Sequence, residues 1–170
     1  MSTKRPNIIL GIDPGIERTG FGIIESAGKN IKLIDQGCIT TSSKDTAAQR
    51  LLDIEEDLQE LLAQHKPNTL AIEKLFFAKN VTSALAVGQA RGVILLTCAK
   101  AGLSIFEYNP MQVKVAVTGY GGADKEQMEK MVQKLMNLDF VPAPDDVNDA
   151  LALAICHAHN QSFIEAAAKK

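Results

Sequence analysis

Four carboxylates sit where carboxylates are expensive. Asp13 closes the apolar run Asn7-Ile-Ile-Leu-Gly-Ile and precedes Pro14-Gly15; Glu73 closes Leu70-Ala71-Ile72; Asp146 and Asp149 open an otherwise apolar stretch, 150–156. A buried carboxylate is unfavourable unless it is paired or bound to a metal. Asp146 and Asp149 are three residues apart, so on a helix they share a face. If that helix packs against the sheet, both can converge with Asp13 and Glu73. Two like charges about 4 Å apart repel by roughly 4 kcal/mol at an effective dielectric near 20. Four converging carboxylates therefore need a cation to stay ionised together. An oxygen-only set suits Mg²⁺ or Mn²⁺ and disfavours Zn²⁺. Two such ions can clamp a phosphodiester, activating a water on one side and stabilising the leaving oxygen on the other.

Each residue taken alone has a plainer reading. Asp13 before Pro-Gly can initiate a turn. Glu73 beside Lys74 can be a strand-end surface residue. Asp146 can be an N-cap, with Asp149 favoured by the helix dipole. Periodicity does not choose between Asp145 and Asp146, since either can share a face with Asp149. The set carries the argument, not any member of it.

The elements that must position these residues are legible in the periodicity. Residues 7–13 form a short apolar run, as in a strand buried on both faces. Runs 20–26 and 31–41 follow as strands around the turn at 27–30. Thr46 can N-cap a helix whose apolar positions include Leu51, Ile54, Leu58 and Leu62, with an acidic solvated face. A strand at 69–73, a helix at 80–101 closed by Gly102, and a strand at 103–108 come next. Asn109-Pro110 starts a helix, 118–123 reads as a flexible glycine loop, and helices at 124–137 and 145–159 end the chain. The order is strand, strand, strand, helix, strand, helix, strand and three helices. That implies an α/β layered fold with a mixed sheet whose first three strands are antiparallel, not a doubly wound nucleotide fold.

The chain has 170 residues, 46% hydrophobic and 22% charged, enough for one domain with a real core. Its net charge of −2 announces no nucleic-acid binder. The charge is nevertheless segregated. Residues 1–65 carry 7 basic and 10 acidic side chains, 66–134 carry 9 and 5, and 135–170 carry 2 and 5. Cys38, Cys98 and Cys156 are far apart in apolar surroundings, which reads as reduced thiols in a cytoplasmic protein. No signal-peptide core or membrane span is apparent. His65, His157 and His159 read as surface or C-terminal helix residues.

The motifs Gly11-Ile-Asp-Pro-Gly15 with Thr19-Gly20, Ala71-Ile-Glu-Lys-Leu-Phe76, Gly88-Gln-Ala-Arg-Gly92 and Asp146-Val-Asn-Asp-Ala-Leu-Ala152 occur in that order. Together they resemble the RuvC family of bacterial crossover (Holliday) junction endodeoxyribonucleases, over nearly the whole chain. The resemblance implies a ribonuclease H-like fold: a mixed five-stranded sheet flanked by helices, in a single nuclease domain over 1–170 with tails at 1–6 and 160–170. It implies a homodimer that nicks two like-polarity strands of a four-way DNA junction in recombination and repair, leaving 5′-phosphate and 3′-hydroxyl ends. It places the catalytic and metal-binding acids on Asp13, Glu73, Asp146 and Asp149, with two Mg²⁺ per site and Mn²⁺ able to substitute. It places an aromatic that pushes against bases on Phe76, and phosphate-contacting lysines on Lys114 and Lys125. RuvA and RuvB, the branch-migration proteins, are the implied partners. Phe77, Val147 and Asn148 read as tolerated variation.

Several features have a use beside the resemblance. Phe76 and Phe77 are adjacent and cannot both face a core, so an exposed ring beside a carboxylate suits base stacking. Tyr120 is a weaker stacking position. Ala84, Gly88 and Gly92 share one helix face, open either to packing within the chain or to a second subunit. Two competing readings remain to be separated. A sugar-kinase, actin or Hsp70-like ATPase also carries Asp-x-Gly after its first strand, but needs two lobes where 170 residues supply one. A non-catalytic junction-binding protein would bind without cutting.

Overall fold

The computed structural model describes residues 6–28, 30–75 and 81–167, except the side chains of 81–83 and 162–167. Phe76 and Phe77 lie outside the described residues. The elements are β1 (Asn7–Asp13), β2 (Arg18–Ala27), β3 (Asn30–Thr40), α1 (Ala47–His65), β4 (Thr69–Glu73), α2 (Val81–Lys100), β5 (Ser104–Tyr108), α3 (Pro110–Thr118), α4 (Lys125–Leu135) and α5 (Asp145–Ala167). They form the expected five-stranded mixed sheet in the order β3-β2-β1-β4-β5. The strands β1, β2 and β3 pair antiparallel; β4 runs parallel to β1, and β5 parallel to β4.

Alternation along the strands sorts the sheet into two unlike faces. Leu10, Ile12, Phe21, Ile23, Leu70 and Ile72 are large and pack with α1 and α2 through Ile54, Leu58, Ala90 and Ile94. The opposite face carries small residues where β1, β2 and β4 meet: Gly11 pairs with Gly22 and with Ala71. There α5 lies directly on the sheet. A Cβ on Gly11 would come within 2.0 Å of the Ala150 carbonyl oxygen, and one on Gly20 within 2.0 Å of the Asp146 carbonyl oxygen. Only glycine admits this approach. The other side of α5 is covered by α3 and α4 through Val113, Val117, Met128 and Val132. Helix α5 is therefore buried all round from Ala150 to Ala158, as the apolar stretch 150–156 requires.

The helix ends are made by local chemistry. Thr46 caps α1 through the Gln49 amide as expected, and α3 and α4 each open with a capping box, Asn109 with Gln112 and Asp124 with Gln127. Three expectations need correction. Helix α5 continues to Ala167, so most of the expected C-terminal tail is helical. The glycine loop after α3 is tied to itself: Thr118 Oγ1 has its one proton within reach of the Lys114 and Tyr120 carbonyls, at 2.8 and 2.9 Å, and accepts from the Tyr120 amide. Of the two alternatives for His157, the C-terminal helix holds and the surface does not: it is 2% exposed, because α5 has no free face at that turn. Its Nδ1 lies 2.7 Å from the Tyr108 hydroxyl, which satisfies the ring, and burial holds it neutral with its pKa pushed down to about 4. His159 is exposed, with Nδ1 2.8 Å from the Ala116 carbonyl oxygen. Among the described residues, no helix is long and apolar enough to cross a membrane.

Candidate active site

Strand parity decides which carboxylates meet. Gly11 and Asp13 share a face of β1, Ala71 and Glu73 share a face of β4, and these are the faces on which α5 lies. The register Ile12 with Ile72 sets Asp13 and Glu73 side by side at the ends of two parallel strands. On the other flank, Asp13 pairs with Gly20, whose missing side chain admits the first turn of α5. That turn brings Asp146 over β2 and Asp149 towards Glu73. The Glu73 backbone is held as well: Arg91 donates from Nε to its carbonyl oxygen at 3.3 Å while pairing with Glu107. This gives the arginine of the Gly88–Gly92 motif a position in the structure.

The four acids feel one another. Asp13 is half-buried, and its carboxyl is pushed up to about 7, first by burial and then by Asp149, Asp146 and Glu73. Glu73 is raised by burial and by Asp149. The Asp149 side chain opens to solvent, yet the cleft walls around its carboxyl and the charges of Asp145, Asp146 and Glu129 raise it against the pull of Lys125. Such mutual shifts mark negative charge that the protein itself does not neutralise. Among the described residues, no three His, Cys, Asp or Glu side chains are grouped closely enough to hold a metal ion. The acids are thus near enough to raise one another's proton affinity without forming a closed cage. An oxygen donor set with this excess charge fits a hard divalent cation.

Glu73, Asp145, Asp149, Lys114 and Lys125 line one open cleft of about 370 Å³ between β4 and helices α3, α4 and α5. Both expected phosphate-contacting lysines therefore share a cleft with Glu73 and Asp149, Lys114 from α3 and Lys125 from the first turn of α4, while Asp13 and Asp146 are not among its lining residues. Lys125 is paired with Asp145, which separates the two adjacent aspartates: Asp145 faces the lysine, while Asp146 lies 3.1 Å from Arg18 Nε. Three residues at the centre, Arg18, Glu129 and Asn148, are not singled out by the sequence, and a fourth, Asp145, is left open there as the alternative to Asp146. Arg18 was recognisable in principle, because it shares a strand face with Gly20 and Gly22. Asp145 and Glu129 have no motif of their own. Asn148 was read as tolerated variation, yet it is 2% exposed, lines the cleft and has a buried Oδ1 without a hydrogen bond.

Comparison with known proteins agrees with this architecture. Residues 9–157 match the family described as Crossover junction endodeoxyribonuclease RuvC. The proteins of that name from Alkaliphilus oremlandii and a Roseiflexus species are 52% and 51% identical to this chain. These matches cover 93% and 91% of it, and 96% and 92% of the relatives. Among solved structures, Thermus thermophilus RuvC in complex with Holliday junction substrate superposes with a TM-score of 0.87 at 34% identity, over 92% of this chain and 96% of that one. The yeast mitochondrial Holliday junction resolvase shares the fold, with a TM-score of 0.70 at 12% identity over 94% and 81% of the two chains. The expected ribonuclease H-like fold is thereby borne out. With its motifs in order and residues 9–157 matched, this chain belongs to the RuvC family of crossover junction endodeoxyribonucleases.

Proposed function

We propose that this protein resolves four-way (Holliday) DNA junctions by paired, symmetric hydrolytic nicks, using Asp13, Glu73, Asp146 and Asp149 as its metal-binding acids. Family membership supports the reaction class. The observation that carries the site is the electrostatic coupling of four carboxylates from β1, β4 and α5, with Asp13 pushed up to about 7 first by burial and then by Asp149, Asp146 and Glu73. Two Mg²⁺ ions, or Mn²⁺ in their place, would be held by these acids and would supply polarisation of the scissile phosphate and neutralisation of charge at the leaving oxygen.

The chain's own residues then have separate tasks. The four acids fix where a phosphodiester can be cut, because they lie on a rigid sheet and the first turn of a buried helix. Lys114 and Lys125 draw the backbone into the cleft, with Phe76 proposed to press against bases near the crossover. Water adds to phosphorus, the bond to the 3′ oxygen breaks, and the ends are 5′-phosphate and 3′-hydroxyl. No protein nucleophile is required.

A homodimer suits this reading, since a two-fold assembly presents two sites to two equivalent strands. Helix α2 supports it. Leu85 and Leu96 are 64% and 54% exposed, and they share a face with Gly92, next to which a Cβ would meet nothing within 4 Å. The stripe left open between intrachain packing and a subunit contact is thus not covered at Gly92 by the described residues. The remaining parts of the proposal are a single nuclease domain over 1–170, cytoplasmic location, and RuvA and RuvB as partners. Nicking of a synthetic four-way junction with and without Mg²⁺ tests the central claim, with linear duplex as control. Magnesium-dependent paired nicks in the junction are expected. Binding without nicking would leave a scaffold protein, and ATP hydrolysis by the pure protein would revive the kinase-like alternative.

A further inference from the structure

The acidic row has a basic side chain on each bank. Lys114 and Lys125 stand on the α3 and α4 side. On the β2 side stands Arg18, whose Nε is 3.1 Å from Asp146 Oδ2. The pair is unequal: the Arg18 side chain is 57% exposed and that of Asp146 25%. Asp146 Oδ2 is buried yet makes no aligned hydrogen bond, so the contact is one of charge and not of directed bonding. A guanidinium has five donors in a fixed fork and is suited to taking a phosphate through two of them. Here it spends one nitrogen on a poorly aligned carboxylate.

The backbone that carries Arg18 is built into the site. A Cβ on Gly15 would lie 2.2 Å from the Arg18 carbonyl oxygen, so the Asp13-Pro14-Gly15 turn folds directly onto this residue. Its neighbour Thr19 is buried and donates from Oγ1 to the Gly15 carbonyl at 2.7 Å. Arg18 itself pairs with Thr40 in the sheet. The main chain is anchored, while the long side chain has solvent to turn into. Arg18 also shares its strand face with Gly20, beneath the first turn of α5.

We propose that Arg18 is a DNA-backbone ligand of this active site: it holds Asp146 in the metal-free protein and moves to a phosphate oxygen of the bound strand when a divalent cation takes Asp146. This rests on reading the site as that of a junction nuclease. A cation at Asp146 neutralises the carboxylate and repels the guanidinium. A phosphodiester laid across the four acids, beyond the cleft at Asp146, would offer the released fork a better acceptor than the one it leaves. A strand crossing the acidic row would then be held from both banks, by Lys114 and Lys125 on one side and Arg18 on the other.

The test compares wild type, R18A and R18K by junction-binding anisotropy, in EDTA and in Ca²⁺, with unfolding midpoints to show that each variant folds. In Ca²⁺, R18A should bind the junction about tenfold more weakly, the size of a lost charge-assisted hydrogen bond, with R18K in between. Its salt slope should fall by about 1. In EDTA, where Asp146 occupies Arg18, the loss should be smaller. Calorimetry without DNA should show R18A binding Mg²⁺ at least as tightly as wild type, because a competing cation is gone. In a D146N background, R18A should still weaken binding in Ca²⁺. Unchanged affinity and salt slope in Ca²⁺, weaker Mg²⁺ binding by R18A, or an effect that vanishes in D146N would each overturn the proposal and leave Arg18 as a structural partner of Asp146. Failure of wild type to nick junctions in Mg²⁺ would instead remove the reading beneath it.

Discussion

At the scale of the residue, the two flanking aspartates of β1 and α5 make opposite predictions for binding and for stability. Asp146→Asn keeps the shape of the first turn of α5 but removes a charge that a divalent cation needs. It should bind four-way junctions and cut them at least about 100-fold more slowly; junction cleavage near the wild-type rate would remove Asp146 from the metal site. Asp13→Asn removes a carboxylate that burial and three neighbours already disfavour. With metal chelated it should melt no lower than wild type, because it relieves repulsion. A clear fall in melting temperature would make Asp13 a turn residue, the plainer reading that Pro14-Gly15 leaves open.

At the scale of the element, the site depends on how closely α5 lies against the sheet. Gly20 stands under Asp146 with no room for a methyl group. Gly20→Ala should lower stability by about 1–3 kcal/mol, as over-packing does, and should lower nicking further than the lost folded fraction accounts for. Parallel denaturant curves and nicking rates measure this; an alanine variant with wild-type stability would mean that α5 can ride higher on the sheet. The existence and order of the elements were legible because each has its own period and its own stop signals, such as Thr46, Lys66-Pro67 and Asn109-Pro110. What periodicity could not supply was their environment. An apolar helix reads the same whether one face or every face is covered, so His157 looked like a surface residue until α3, α4 and the sheet closed around it. The glycine loop was read from composition alone, which carries no sign of the Thr118 hydroxyl that ties it.

At the scale of the whole molecule, two buried groups should give metal-free stability a dependence on pH in opposite directions. Asp13 has a folded pKa of about 7 against an ordinary 3.8. Its contribution is full below the unfolded value and is lost as pH rises through about 7. His157 is held down to about 4 against an ordinary 6.5, so its contribution is full above 6.5 and is lost as pH falls through about 4. In EDTA, the Asp13 loss falls between about pH 4 and pH 7 and offsets the His157 gain between about pH 4 and pH 6.5, so D13N should steepen the rise of the unfolding midpoint with pH over that window. Mg²⁺ should stabilise wild type more at about pH 8 than at about pH 5.5, since the carboxylates must be deprotonated to bind it. Equal stabilisation at both would speak against the carboxylates as its ligands.

The net charge of −2 is a poor guide to this surface, because charges act locally. Lys114 and Lys125 come from the basic middle of the chain, and Arg18 comes from an acidic third. The sequence by itself determined the family and the order of elements and singled out the four acids proposed to bind metal, because motifs and periods are properties of neighbouring residues. Tertiary structure alone decided that Asp145 turns to Lys125 while Asp146 meets Arg18. It also decided that Asn148 reaches the cleft and that His157 is buried. Those outcomes depend on which distant elements pack against a residue, and the small face of the sheet, with Gly11 and Gly20 beneath α5, is what brings those elements into reach.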